Sequence, residues 1–237
     1  MYRIYNENNL TFNDELESGN FYDLIYADMI YEDKNVEDWI GFYYGMLKNN
    51  GIFIVQTDWH TNYHVRVFFD ELHATFVNHL AWKNEWGNHP KNRFHQCWDD
   101  ILVFCKGNNW KFYPDRIQVD KATKKAKGLN PSGRDTKTAT AWIDDICLTT
   151  TAKERIKKED GHLIKWQKPL RLFDRIIAPF TDENDWICDP FMGSGSLGEW
   201  CVMNNRNYVG KELDKETFEL AKNRLENVPH EICVSLG

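Results

Sequence analysis

Three carboxylates each stand at the end of an apolar run. Asp28 closes Phe21-Tyr22-Asp23-Leu24-Ile25-Tyr26-Ala27, Asp189 closes Trp186-Ile187-Cys188, and Glu212 closes Tyr208-Val209-Gly210-Lys211. Runs of that length and residue type read as buried strands. A carboxylate at the carboxyl end of a parallel strand faces the crevice where such sheets bind nucleotide-like ligands. Asp189 leads into Pro190-Phe191-Met192-Gly193-Ser194-Gly195-Ser196-Leu197-Gly198. Gly193 and Gly195 allow backbone angles that a Cβ forbids and let a ligand approach the main chain closely. The pattern predicts strand, tight turn, helix, strand, acid. Gly193, Gly195 and Gly198 also fall in G-x-G-x-x-G register, so spacing alone leaves a nicotinamide cofactor open beside a plain turn of a βαβ unit.

The elements that must position these groups follow in order. Residues 2–5 form a short strand candidate, and Asn6-Glu7-Asn8-Asn9 a turn. After the Asp28 strand, Val36, Trp39, Ile40, Tyr43 and Leu47 trace one face of an amphipathic helix, which Asn49-Asn50-Gly51 stops. Strands are expected from Ile52 to Gln56, Thr75 to Trp82 and Ile101 to Cys105, with a helix over 62–72. Regularity drops from Lys106 to about Gly161, resuming briefly at Trp142-Ile143, and residues 151–160 read as a charged surface piece. Lys168-Pro169 opens a helix through Ile177, since proline is favourable in a first turn. A last helix spans 214–227, with a strand candidate at Ile232 to Leu236. Strand, helix and strand in alternation predict an α/β fold with a doubly wound, mostly parallel Rossmann-like sheet.

The wider pattern resembles the β class of DNA amino-methyltransferases. It rests on Asp-Pro-Phe-Met-Gly-Ser-Gly-Ser at 189–196, Gln167-Lys168-Pro169-Leu170 upstream and Gly210-Lys211-Glu212-Leu213-Asp214 downstream. These enzymes methylate an exocyclic amine of adenine or cytosine with S-adenosylmethionine. The resemblance implies that Asp189, Phe191, Gly193, Ser194, Gly195 and Ser196 line the methionine part of the cofactor. Glu212, followed by Leu213, would take the ribose hydroxyls, and Lys168 would lie near the cofactor carboxylate. Asn8 stands where the family often has an Asp that touches the adenine; an amide oxygen can still accept from an exocyclic amine, and a simple polar turn is the equal alternative.

The family's D-P-P-Y, or S-P-P-Y in many cytosine enzymes, reads Asp28-Met29-Ile30-Tyr31 here. The outer residues match and both prolines are absent, which leaves the loop less constrained. An exocyclic amine is a poor nucleophile because its lone pair is delocalised into the ring. By resemblance, the Asp28 carboxylate, which also belongs to the cofactor site, and the Met29 carbonyl accept its N–H bonds and aim its lone pair at the methyl group. Tyr31 would stack on a base flipped out of the duplex. Transfer is direct, through positioning. Aspartate at the first place is more usual in the adenine enzymes, which predicts N6-adenine methylation, with N4-cytosine the close alternative. Two other readings stay open: a DNA- and cofactor-binding chain without turnover, and an RNA or protein amide methyltransferase.

Catalytic tetrapeptide, insertion and cofactor loop come in the permuted order of the β class. The expected organisation is a catalytic half at 1–106, an inserted target-recognition region at 107–161, and a cofactor half at 162–237. Charge supports the middle assignment. The net charge is −7, yet residues 83–137 carry twelve Lys/Arg against six acids, while residues 1–82 carry four against thirteen. Lys121, Lys124, Lys125, Lys127 and Arg134 fall in a turn-rich stretch expected to contact DNA phosphates. Such contacts position a backbone without reading sequence. The partner implied is double-stranded DNA; a homodimer and a cognate restriction enzyme stay open.

The six cysteines form no C-x-x-C pair and read as buried free thiols of a reducing compartment. His60 and His64 lack a companion Glu or Cys at ligand spacing, so no metal is expected. No apolar stretch approaches the ~18 residues of a membrane span, and no signal peptide is visible. These features predict a cytoplasmic chain.

Overall fold

A computed structural model describes residues 1–11, 20–30, 33, 36–84, 90–121, 134–149, 152–164 and 166–229. The elements are β1 (Tyr2–Asn6), β2 (Tyr22–Asp28), α1 (Val36–Met46), β3 (Leu47–Thr57), α2 (Asn62–Glu71), β4 (Thr75–Lys83) and β5 (Trp98–Cys105). Then come β6 (Gln118–Asp120), β7 (Thr136–Thr138), β8 (Trp142–Ile143), α3 (Leu170–Ile176), β9 (Trp186–Asp189), α4 (Ser196–Met203), β10 (Asn207–Glu212) and α5 (Lys215–Glu226). One eight-stranded sheet runs β1-β10-β9-β2-β3-β5-β4-β8. The first five strands are parallel; β5 and β4 are each antiparallel to a neighbour.

The sheet is covered on both faces, which explains the near-continuous apolar strands. Side chains alternate across the pleat. Leu24, Tyr26, Ile52 and Ile54 join Leu172, Phe173, Leu197, Trp200, Ala221 and Leu225 from α3, α4 and α5. Ile25, Ala27, Phe53 and Val55 join Trp39, Ile40, Val65 and Phe69 from α1 and α2. Helices α3, α4 and α5 thus cover one face of the sheet, and α1 and α2 the other. In its middle, β9 lies beside β2 although some 160 residues separate Leu24 from Ile187 and Ile25 from Cys188. That seam between distant parts of the chain is where a doubly wound sheet opens a crevice.

Three expectations need correction. Asn49-Asn50-Gly51 does not separate α1 from the next strand: α1 ends at Met46 and β3 begins at Leu47. Tyr22 pairs with Leu47 and Leu24 with Ile52, so five steps on β3 oppose two on β2, a bulge that Asn50 accommodates with φ +64°. The Lys106 ammonium donates to the carbonyls of Tyr44 and Leu47 at 2.9 and 2.8 Å, covering orphan groups at the end of α1. Second, the thiols are not uniformly buried. Cys105, Cys188 and Cys201 are buried, Cys97 is half-buried and Cys147 is exposed, because Cys147 lies beyond the regular elements; Cys233 lies outside the described residues. Burial pushes the Cys105 thiol up to about 11 and the Cys201 thiol well above its ordinary value. Third, residues 107–161 contain more order than expected. β6 and β7 pair antiparallel, and Trp142–Ile143 adds to the main sheet beside β4. The strand candidate at Ile232 to Leu236 lies outside the described residues.

Candidate functional site

A cleft of about 950 Å³ opens over the carboxyl ends of β1, β10, β9 and β2. Asp28, Asp189 and Glu212 all line it, as their places at strand ends require.

The Gly-rich turn forms one wall. Gly193 and Gly195 adopt φ +52° and +72°, the left-handed region that glycine enters without strain. A Cβ on Gly195 would stand 3.0 Å from the Ala221 Cβ, so this position also lets the turn pack tightly on α5. Main-chain N–H groups fix the rest. Met192 donates to the Lys211 carbonyl at 2.9 Å and Gly193 donates to Glu212 Oε2 at 2.9 Å. Arg224, on α5, donates to the Ser194 carbonyl at 3.1 Å and to Ser196 Oγ at 3.0 Å, and pairs with Glu199.

The carboxylates differ in environment. Asp189 is 2% exposed; the Tyr208 hydroxyl and the Phe191 N–H donate to it at 3.1 and 3.3 Å. Burial pushes its carboxyl up to about 8, aided by the negative charges of Asp28 and Glu212 and opposed by those two donors. Glu212 accepts from Asp214 N at 2.8 Å through Oε1 as well as from Gly193. Each oxygen keeps a second lone pair for a ligand hydroxyl. Burial also raises Asp28, against the attraction of Lys168, whose Nζ donates to Asp28 Oδ2 at 2.5 Å.

Of the residues singled out from sequence, Asn8, Asp28, Met29, Lys168, Asp189, Phe191, Gly193, Ser194, Ser196, Glu212 and Leu213 line the cleft. Gly195 does not, for the packing reason just given. The Asn8 Oδ1 already accepts from Leu10 N at 2.8 Å, which holds the loop after β1. Lys168 sits on Asp28 rather than apart from it. Lys121 directly follows β6 and Arg134 stands shortly before β7; Lys121 N donates to the Asp135 carbonyl at 2.8 Å, and neither residue lines the cleft. Tyr31, Lys124, Lys125 and Lys127 lie outside the described residues.

The place of the missing first proline is informative. Met29 N donates to the Gln56 carbonyl at 3.2 Å, a bond that proline could not make. The same Gln56 accepts the Tyr26 hydroxyl through Oε1 and donates through Nε2 to Asp99, both at 2.7 Å. Asn84 completes the chain on the other Asp99 oxygen at 2.7 Å. Lone polar residues in the apolar runs of β2, β3 and β5 were the signal for this network, and sequence reading passed over it.

It also missed the outer wall. Lys158, Asp160, His162, Leu163, Ile164 and Trp166 also line the cleft, where a charged surface piece was expected at 151–160. Lys157 and Leu163 form an antiparallel bridge, and Lys158 Nζ reaches Glu216 on α5 at 2.8 Å. Trp166 is 68% exposed with φ +64°, and its carbonyl accepts from Lys168 at 3.3 Å. Among the described residues, no group of His, Cys, Asp and Glu could hold a metal ion, and no helix is long and apolar enough to cross a membrane.

A family model described as a DNA methylase matches residues 19–223. The type II methyltransferase M.HpaI of Haemophilus parainfluenzae is 28% identical over 196 residues, which are 80% of this chain and 58% of that protein. M.HinfI of Haemophilus influenzae is 25% identical over 204 residues, 86% of this chain and 54% of that protein. The chain thus spans a little over half the length of these curated relatives. The crystal structure of M1.HpyAVI in complex with SAM is similar at TM-score 0.66 and 24% identity, covering 95% of this chain and all of that one. The cytosine-N4-specific PvuII DNA methyltransferase is similar at TM-score 0.69 and 16% identity, covering 98% and 88%. These structural likenesses show the shared sheet architecture.

Proposed function

The chain belongs to the DNA methylase family, and on that premise we propose that it transfers a methyl group from S-adenosylmethionine to N6 of adenine in duplex DNA, acting on a base flipped out of the helix. The observation that carries the reading is the single cleft that gathers Asp28, the Gly-rich turn and Glu212. Its dimensions and donor set suit the cofactor. Glu212 presents a carboxylate to a ribose diol, and the main chain at Gly193 carries no side chain to obstruct a ligand. Lys168 is a buried cation for a carboxylate. When bound, S-adenosylmethionine supplies an electrophilic methyl group on a sulfonium sulfur.

The chain's own residues do the rest. The Asp28 carboxylate and the Met29 carbonyl accept the two N–H bonds of the target amine. That fixes the amine and turns its lone pair toward the methyl group, an effect of orientation. Burial raises the proton affinity of Asp28, so the group that holds the amine is also the nearest base for the proton it sheds. Lys168 is shared: it neutralises Asp28 in the free protein and turns to the cofactor carboxylate on binding. Asp99 and Asn84, through Gln56, hold the base of the Asp28 loop. Tyr31 is assigned to stacking on the base. Residues 1–106 then form the catalytic half, 107–161 the target-recognition region with Lys121, Lys124, Lys125, Lys127 and Arg134 on phosphates, and 162–237 the cofactor half. Kinship with type II methyltransferases supports a cognate restriction enzyme as partner.

A second reading, binding of DNA and cofactor without turnover, draws on the Lys168 ammonium that occupies Asp28 Oδ2. Mass spectrometry of nucleosides from DNA incubated with the protein and S-adenosylmethionine separates the readings. N6-methyladenine is expected. N4-methylcytosine alone would replace the adenine assignment, and cofactor binding with no methylated nucleoside would favour the second reading.

A further inference from the structure

One surface beside the cleft combines features that methyl transfer itself does not use. Asp28 pairs with Gln56, and β3 ends one residue later at Thr57, so the residues that follow leave the sheet at the edge where the cleft opens. There Trp59 is 42% exposed, its ring 3.7 Å from the His60 ring, and Tyr63 on α2 is 67% exposed. Residues 90–97, which lead into β5, come to meet them, because β5 starts opposite the end of β3 with Asp100 against Thr57. The Arg93 guanidinium lies 5.2 Å from the Trp59 ring centre, and Phe94 next to it is 98% exposed. A phenylalanine that touches so little of its own chain contributes almost nothing to folding. Grouped aromatic side chains at the rim of a cleft mark an interaction site.

Charge indicates the partner. Residues 83–98 carry Lys83, Lys91 and Arg93 against one acid, Glu85, in a chain of net charge −7. Cations interleaved with exposed aromatic rings suit phosphates and base faces together. The surface adjoins the place where a base must leave the stack to reach Asp28. An extruded base leaves a gap, and apolar wedges that enter a base step are a recurring way to hold such a distortion.

We propose that Trp59, Tyr63, Lys91, Arg93 and Phe94 form a duplex-contacting surface in which Lys91 and Arg93 meet phosphates and Phe94 packs against the base step vacated by the target. This rests on the DNA methylation reading above, and it assigns duplex contact to a surface separate from the β6–β7 hairpin.

The test titrates the intact chain with unmethylated genomic DNA fragments across a salt series, with S-adenosylhomocysteine present to prevent turnover. Phe94→Ala should bind about tenfold more weakly, the scale of one lost base–aromatic stack, with an unchanged salt slope. The Lys91→Ala, Arg93→Ala double variant should flatten the slope by about two. All three residues are exposed, so both variants should melt like the parent. Parent-like affinity and slope in both variants would overturn the surface while leaving the function standing. Failure of the intact chain to bind DNA at all would overturn both.

Discussion

Strands β2 and β9 carry aspartates near both ends, and the two ends of the sheet treat them in opposite ways. At the amino end, Asp23 of β2 accepts from Lys48 Nζ at 2.8 Å and from Trp186 N at 2.9 Å. In the turn before β9, Asp182 meets Arg116, Tyr113 and Lys111 at 2.9, 2.9 and 3.1 Å. Burial works against its charge, but those three donors win and hold the carboxyl down at about 2. At the carboxyl end, Asp189 is pushed up to about 8 and Asp28 is raised as well, both by burial. Each lies in the other's field or near a further acid, and Lys168 is the cation on Asp28. The amino end is neutralised and serves stability. The carboxyl end keeps carboxylates close together in a buried cleft, an arrangement that burdens the fold and suits a ligand-binding site.

The contrast predicts unequal responses to substitution. On binding and stability, the largest belongs to Glu212→Ala, which removes the acceptor assigned to the ribose diol. Cofactor affinity measured by calorimetry should fall about 10- to 100-fold, the scale of charged hydrogen bonds, and an unchanged affinity would remove Glu212 from the site. Gly195→Ala follows, at about 1–3 kcal/mol of stability, because alanine must adopt φ +72° with its Cβ 3.0 Å from Ala221. Denaturant unfolding checks it. Asp189→Asn tests the raised carboxyl through pH. A group whose folded pKa lies above its unfolded value, near 4, stabilises fully below that value and loses the contribution as pH rises toward about 8. The melting temperature of the parent relative to the variant should therefore fall between pH ~4 and about 8; parallel curves would refute the raised carboxyl. Asp182→Asn should show the opposite sign and the smallest size. Its contribution is present above pH ~4 and lost toward about 2. The pairs are partly exposed, so the variant should lose only about 1 kcal/mol at neutral pH and converge on the parent as pH falls below about 2.

This contrast explains what sequence could reveal. The carboxyl end was legible because strand-ending acids and a glycine pair are local signals: Asp28, Asp189, Gly193 and Glu212 were each readable from a few neighbours. The amino-end clusters were not, because Arg116 and Lys111 reach Asp182 across some 70 residues. The same holds for Arg224, which ties α5 to the Gly-rich turn, and for Gln56, whose carbonyl takes the Met29 N–H. The wall at 158–166 went unseen because its residues carry no period of 2 or 3.6. The basic stretch was visible as charge, but only the fold shows that β6 and β7, which precede and follow it, pair with each other.

The most direct test of the whole account is methyl transfer from labelled S-adenosylmethionine to unmethylated genomic DNA by the parent and by Asp28→Ala, with cofactor affinity measured on both. The account predicts transfer by the parent, loss of at least about 100-fold in the variant, on the scale of losing a positioned catalytic group, and cofactor affinity within a few-fold of the parent. Near-normal transfer by Asp28→Ala would contradict it, since the amine would then be held by something other than the end of β2.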